Sequence, residues 1–314
     1  MAALRGGVDY LAAHRGPTHG PLGVIGLGLI TAGIISAWAR WRPRRARAPA
    51  QEAGAPHFRR WWVLATIGAA CHGLMDLPTA YGTRLLSPFV WTWYALDWMP
   101  IVDVYLWIVL SVALIAGSVT GGRHRAALIA LGLMALDYTA RAALHERALA
   151  SGAMFDASGV HAPCATAPTL VVHPSAIDAR PVGPASCVEA AALPTFFSPI
   201  TWRIVRQQPD SYELSDRNVF ETPAHARPIR LVSDTGPDVR RARATRAGIA
   251  YLDFARFPIA QISNHTPMTT TVRLLDARFI VIPSGAQDAA ARGALQVVVE
   301  LDASGRVVHQ RFGN

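Results

Sequence analysis

The chain has 314 residues and no lysine; its 30 basic residues are all arginine. Charged residues of both signs make up only 16%, where an ordinary soluble domain carries roughly a quarter. That deficit argues against a wholly water-soluble chain. Cysteine is scarce: Cys71, Cys164 and Cys187 leave room for one disulfide. The N-terminus lacks the pattern of a cleavable secretion signal, namely a basic start, an apolar stretch and a small-residue cleavage site. Residues 1–20 are polar instead and contain His14 and His19. The first long apolar helix is therefore expected to act as the insertion signal.

What the chain has in abundance is apolar sequence, with 51% hydrophobic residues. Uncharged runs cover 21–39, 61–75, 104–122 and 126–136, the last continuing past Asp137 to Leu144. A spanning helix needs roughly 20 apolar residues. The first and third runs reach this alone; the second and fourth reach it with Asp76 and Asp137 inside or at the edge of the span. The sequence predicts about four transmembrane helices, at 21–40, 60–80, 101–120 and 126–149. Residues 1–20 read as a part-helical arm broken by Gly16, Pro17 and Gly20. From about Phe196 the pattern changes to short strand-like runs, at 202–205, 229–232, 249–254, 270–275, 279–282, 295–301 and 307–312. The last two flank Ala303-Ser304-Gly305, a hairpin signal. The expected architecture is an α-helical polytopic membrane domain at 1–149, an Ala-, Pro-, Ser- and Gly-rich linker at 150–195, and a mostly β soluble domain at 196–314.

Net charge is +9. Such basicity suits nucleic-acid binding, but here many arginines sit in short loops between apolar runs. The stretch 40–60 holds Arg40, Arg42, Arg44, Arg45, Arg47, Arg59 and Arg60 against Glu52, and the next such loop holds Arg123 and Arg125. The loop 81–100 holds only Arg84. Short cytoplasmic loops are rich in arginine. The two Arg-rich loops are thus expected in the cytoplasm, and the N-terminus, loop 81–100 and everything after about Ala150 on the outer side. In a Gram-negative cell the C-terminal domain would be periplasmic. The expected partner is the lipid bilayer, and no nucleic acid is expected. Trp91, Trp93, Tyr94 and Trp98 fit an interfacial aromatic belt. Cys164 and Cys187 fall on the oxidising side, where a disulfide is permitted; the alternative is two free thiols in a linker.

Polar residues near membrane segments are functional candidates by default. His14 and His19 lie in His14-Arg15-Gly16-Pro17-Thr18-His19, where Gly16 and Pro17 favour a turn. His72 and Asp76 are four apart on one helix face. Asp97 and Asp103 bracket Pro100, and Asp137 lies in the fourth helix. The arginine-derived topology puts all of them on one side of the bilayer. Imidazoles with carboxylates suit a divalent ion such as zinc or manganese. Such an ion activates water at neutral pH. Each residue also has a plain structural reading. His14 reads as a solvated side chain, His72 as a partner of Asp76, Asp103 as a helix cap, and Asp137 as a partner of Arg141. Haem held by two of the histidines is set aside, because nothing in the helix pattern places two of them across a bundle interior.

These motifs together resemble the YdjM-like family of membrane-bound metal-dependent hydrolases. His14-Arg15-Gly16-Pro17-Thr18-His19 is similar to the family's His-Arg-Gly-x-Thr-His, and His72-Gly73-Leu74-Met75-Asp76 to its His-x-x-x-Asp. Thr79 to Arg84, Ser87-Pro88-Phe89, and the segments around Asp97 and Asp103 also resemble it, over about 8–145. The resemblance implies an inner-membrane hydrolase with a divalent metal, zinc before manganese, held by His14, His19, His72 and Asp76. Asp103 would be a further ligand or orienter and Asp97 the general base. Arg15 and Arg84 would bind an anionic substrate, such as a phosphoester or lipid head group. One departure stands out: family members begin with a further apolar helix and an acidic segment, whereas only Asp9 precedes the first motif here. The rival expectation is a non-enzymatic anchor or scaffold that presents the β domain to a partner.

Overall fold

The computed structural model describes residues 7–41, 58–156, 162–166, 187–209, 211–221, 228–281, 292–293 and 295–313. Most of the Arg-rich stretch between 40 and 60, and most of the expected linker, lie outside these residues.

Five helices come first: α1 (Gly7–Ala13), α2 (Pro21–Trp41), α3 (Phe58–Asp76), α4 (Val104–Thr120) and α5 (Arg123–Met154). Their ends follow local chemistry. Pro21 opens α2, where its missing N–H costs nothing. Pro78 lies two residues beyond Asp76, and a proline cannot continue a helix. Asp103 caps α4, its carboxylate accepting from the Leu106 N–H at 2.9 Å. Gly121 ends α4 with φ 71°, the left-handed conformation glycine adopts freely. α2 packs on α3 and α4 on α5. A side chain on Gly28 would begin 2.1 Å from Thr66 Oγ1, so only glycine lets α2 and α3 approach this closely.

By length and composition, α2 and α5 can each cross a membrane. α4 is apolar but has 17 residues. α3 falls short because Arg59, Arg60, His72 and Asp76 interrupt it. The four spans expected from sequence are therefore two by this measure. α5 has 32 residues, about 48 Å of helix against a hydrocarbon layer of about 30 Å. Its C-terminal half buries Arg141, His145, Ala148, Leu149, Gly152 and Ala153 at helical spacing. That stripe packs on strands β1 (Glu189–Pro194) and β2 (Thr201–Gln207).

The C-terminal part continues with β3 (Ser211–Asn218), β4 (Ile229–Val232), α6 (Pro237–Arg243), α7 (Arg246–Phe254), β5 (Pro258–His265), β6 (Thr269–Asp276), β7 (Ile280–Val281), β8 (Arg292–Gly293), β9 (Gln296–Asp302) and β10 (Val307–Phe312). Two antiparallel sheets result, ordered β1-β2-β3-β4 and β10-β9-β6-β5, beside a small β7-β8 pair. One core joins Leu193, Val205 and Leu214 of the first sheet to Ile259 and Leu275 of the second, and includes Ala80. A second joins Ala148 and Leu149 of α5 to Ala192, Trp202 and Ile204, and a third joins Val272, Leu274, Val297, Val299 and Leu301 to Tyr251 and Phe254 of α7. Leu11, Tyr81 and Trp93 complete it. The arm and the loop between α3 and α4 thus share a core with the β domain.

Some sequence expectations change. Residues 249–254 are helical, in α7: Thr245 caps the helix through Gly248 N–H, and Ala247, Tyr251 and Phe254 face the core at helical spacing. The expected strand at 279–282 is present in part, as β7 (Ile280–Val281), with Phe279 ending a 3-10 turn, Ala277–Phe279, capped by Asp276; Ile282 lies outside the described residues. β1 falls inside the expected linker. Trp93 is buried under Phe254 instead of lying in a membrane interface. The β9–β10 hairpin is present, its turn held by the Asp302 carboxylate, which accepts from the N–H groups of Ser304 and Arg306. Cys164 and Cys187 form a disulfide that pins 162–166 beside β1, where Ala190 N–H donates to Ala165 O.

Candidate metal site at the helix ends

The arm between α1 and α2 makes the site. Gly16 N–H donates to Ala13 O and His19 N–H to Gly16 O, a tight double turn that needs Arg15 at φ 49°. The turn is laced to the loop after α3: Ser87 Oγ donates to Gly16 O at 2.5 Å, and Arg84 N–H to Arg15 O at 3.0 Å. A Cβ on Gly20 would lie 1.6 Å from Ser87 O, so nothing larger than glycine fits there. This packing sets His19 against the last turn of α3.

His19 Nε2 lies 2.9 Å from Asp76 Oδ2, and His72 Nε2 lies 4.0 Å from the same oxygen. One ligand atom from each of His19, His72 and Asp76 falls within 4.8 Å of the others. Ligands on a tetrahedral zinc at about 2 Å stand about 3.3 Å apart; the His19–Asp76 pair is already that close, and the exposed His72 side chain has to move in to join an ion. Asp76 is buried, whereas the His72 side chain is 71% exposed, so the group opens on one side.

The residues fit an ion on a further observation. His19 Nε2 and Asp76 Oδ2 are both buried, and neither makes a hydrogen bond of acceptable geometry although they nearly touch. His19 Nδ1 lies 2.9 Å from Thr18 Oγ1. A proton donated from Nδ1 to Thr18 leaves the Nε2 lone pair facing a carboxylate oxygen. In that tautomer two acceptors face each other and a cation bound by both removes the conflict; with the proton on Nε2 instead, His19 donates to Asp76 Oδ2. Fixing the tautomer through the second ring nitrogen is also how ligating histidines are oriented.

Arg15 holds Asp76 in place. One guanidinium nitrogen sits 3.1 Å from Asp76 Oδ1, and the other donates to Gly82 O at 2.9 Å and Thr79 Oγ1 at 3.2 Å. The guanidinium also stacks over Tyr81 at 4.5 Å. Burial pushes the Tyr81 phenol up to about 12. His14 packs between the rings of Tyr10 and Tyr81 and is not in the three-residue group. Burial, then Arg15 and His19, lower its pKa to about 4, so it is neutral at neutral pH.

The other residues singled out from sequence are committed elsewhere. Asp97, expected as general base, adopts φ 59° and pairs with Arg256 at 2.5 Å; Arg256 also reaches Glu189 at 3.1 Å. Asp103, expected as a ligand or orienter, caps α4 and pairs with Arg141 at 2.5 Å. Arg141 also meets Asp137 at 3.2 Å, the pairing expected of Asp137. Arg84, expected to bind substrate, is buried, pairs with Asp253, donates to Ala12 O and lies 4.8 and 4.7 Å from the rings of Trp91 and Trp93. None of Asp97, Asp103 or Arg84 joins the three-residue group. Sequence reasoning missed Thr18 and Thr79 as positioning groups. Thr18 could have been found, since it stands inside the His-Arg-Gly-Pro-Thr-His motif. The partners Glu189, Asp253 and Arg256 could not, since they come from a distant part of the chain.

Comparison with curated proteins and with solved structures gives no match. Residues 2–148 match the family model described as YdjM inner membrane protein, a span that contains the whole three-residue group and ends within α5. Over residues 2–148, the helical part, the chain is thus similar to the YdjM inner membrane protein family.

Proposed function

We propose that the chain is an inner-membrane, metal-dependent hydrolase with its metal held by His19, His72 and Asp76. The observation that carries this is the close approach of three ligand atoms around the buried Asp76 carboxylate, with His19 Nε2 2.9 Å from its Oδ2. The donor set of two imidazoles and one carboxylate favours zinc, with manganese second. Three protein ligands with one side open match a catalytic site rather than a closed structural one. A bound ion would supply Lewis acidity and activation of water.

The chain's own residues do the rest. Arg15 fixes the Asp76 carboxylate and keeps a positive charge 3.1 Å from it, so an anion approaching the open side is attracted. Thr18 Oγ1, 2.9 Å from His19 Nδ1, orients the His19 ring. In this reading all four long helices cross the membrane. The end carrying Asp76 and Asp103 faces outward, opposite the arginines at Arg40, Arg59, Arg60, Arg123 and Arg125. A site at that surface suits an anionic phosphoester or a lipid head group. The test is turnover of a phosphoester panel by the full chain in nanodiscs, with and without chelator. His72→Ala should abolish turnover while leaving the helical circular dichroism unchanged, because His72 is exposed; unchanged turnover would sink the assignment.

A second reading is a non-enzymatic anchor that presents the β domain. The shared core of Leu11, Tyr81 and Trp93 with α7 favours it, since it welds the two parts together. For the same reason a truncation near Ala150 cannot separate the readings: it would open all three cores, to which Leu11, Ala80 and Leu149 contribute. The full chain carrying point variants is the appropriate material.

A further inference from the structure

Two loops of the β domain present bare aromatic side chains on one edge. Phe196 and Phe197, between β1 and β2, are 54% and 79% exposed, and Phe220, after β3, is 64% exposed. The loops are joined side by side, Val219 N–H donating to Ile200 O at 2.9 Å. The first is braced internally: Thr195 Oγ1 donates to Ser198 O and Thr201 O, and Ser198 Oγ to Thr201 Oγ1. The second is braced by Asn218, which accepts from Phe220 N–H and donates to Glu221. A loop built this firmly does not collapse to hide its phenylalanines.

Their position relative to the membrane helices follows from two contacts. Tyr105, in the first turn of α4, donates its hydroxyl to Phe197 O at 3.0 Å. α4 has 17 residues, about 25 Å of helix, so Tyr105 lies near one boundary of a hydrocarbon layer whose other boundary is at Gly121-Gly122. Arg147 donates to Val219 O at 2.8 Å and lies 5.4 Å from the Phe220 ring. Arg147 is about 36 Å along α5 from Arg123, at head-group depth. Ile101, Val102 and Val104, which precede Tyr105 in the chain, are exposed and apolar as well.

We propose that Phe196, Phe197 and Phe220 enter the bilayer leaflet on the β domain's side, with Arg147 at the phosphate level, so that the domain is docked on lipid as well as tethered to α5. The occupant is the host bilayer itself, because the aromatic edge is continuous with the lipid-facing surface of α4. Aromatic rings are favoured at that depth, and a nearby arginine meets the phosphates. The inference needs α4 and α5 to cross the membrane and does not depend on the metal site.

The test uses the full chain in phospholipid vesicles, in a Cys71→Ser background under non-reducing conditions that keep Cys164–Cys187 intact. A nitroxide is attached at Phe197→Cys, at Phe220→Cys, or at Val119→Cys as the lipid-facing reference. Oxygen accessibility at 197 should exceed that of a water-soluble nickel chelate severalfold, as at 119, with 220 shallower. Chelate access exceeding oxygen at 197, beside a lipid-like 119, overturns the proposal. Loss of access to both reagents at 197 means that protein covers it, and overturns it too. A water-like signal at 119 as well overturns the spanning helices themselves.

Discussion

Arg278→Met tests how the β domain and the site loop are joined. Arg278 and Asp276 are almost fully buried and lie 2.8 Å apart. The Arg278 guanidinium also donates to Ala80 O at 2.9 Å and Phe254 O at 2.8 Å, and it lies against the rings of Phe254 and Phe279. Methionine keeps much of the apolar stem but removes every donor. Asp276 retains backbone N–H groups from Arg256 and Arg278, so its charge is not left bare. Breaking a buried pair by deleting one partner costs about 3–5 kcal/mol. Two stranded carbonyls add to this, and the surviving N–H bonds offset part of it. A loss of about 4 kcal/mol is expected, roughly a thousandfold in the folding equilibrium. The assay is denaturant unfolding in mild detergent followed by tryptophan fluorescence, which Trp93 and Trp202 report from the shared and neighbouring cores. Pairing Arg278→Met with Asp276→Asn should recover part of the loss, because the buried carboxylate is then neutral. A single variant within about 1 kcal/mol of wild type would refute the reasoning, since it would put the pair in the range of an exposed ion pair.

Gly20→Ala should displace the arm, because its Cβ would start 1.6 Å from Ser87 O. The expected result is a loss of metal affinity of about 10–100-fold, the range for disturbing groups that orient ligands; competition titration with a zinc chelator reads it, and unchanged affinity would contradict the packing argument. His14 gives a pH dependence of known sign. Its ordinary pKa of 6.5 is lowered to about 4 in the folded arm, chiefly by burial. The neutral form is therefore favoured by folding, and the stability it contributes is present above pH 6.5 and lost as pH falls toward about 4. Thermal midpoints across that window should fall in the wild type and fall less in His14→Gln; parallel curves would show that His14 is not responsible.

Much of the helical part was legible because its signals are local. Long uncharged runs, Pro21, Asp103 and Gly121 mark helices and their ends without any tertiary information. The pairing of Asp137 with Arg141 follows from their four-residue spacing. The candidate site was partly legible for the same reason: His72 and Asp76 are one turn apart, and Gly16-Pro17 announces the turn that carries His19 inward. What the sequence hides is long-range. Asp97 and Arg84 look like free polar groups until Arg256 and Asp253 arrive from the C-terminal part. β1 reads Glu-Ala-Ala-Ala-Leu-Pro, poor in strand formers, and becomes a strand because it pairs with β2 while Ala192 packs with α5 and Ala191 and Leu193 enter the core between the sheets. β3 and β5 are polar enough to pass as loops. The run at 249–254 is too short for periodicity to separate strand from helix, and the Thr245 cap decides it.

The central claim is a divalent ion held by His19, His72 and Asp76. Its most direct test is metal content by mass spectrometry, on detergent-purified full chain beside the His72→Ala/Asp76→Ala variant. The account predicts near-stoichiometric zinc or manganese in the wild type and its loss in the variant. Equal metal in both proteins, or none in either, would contradict it.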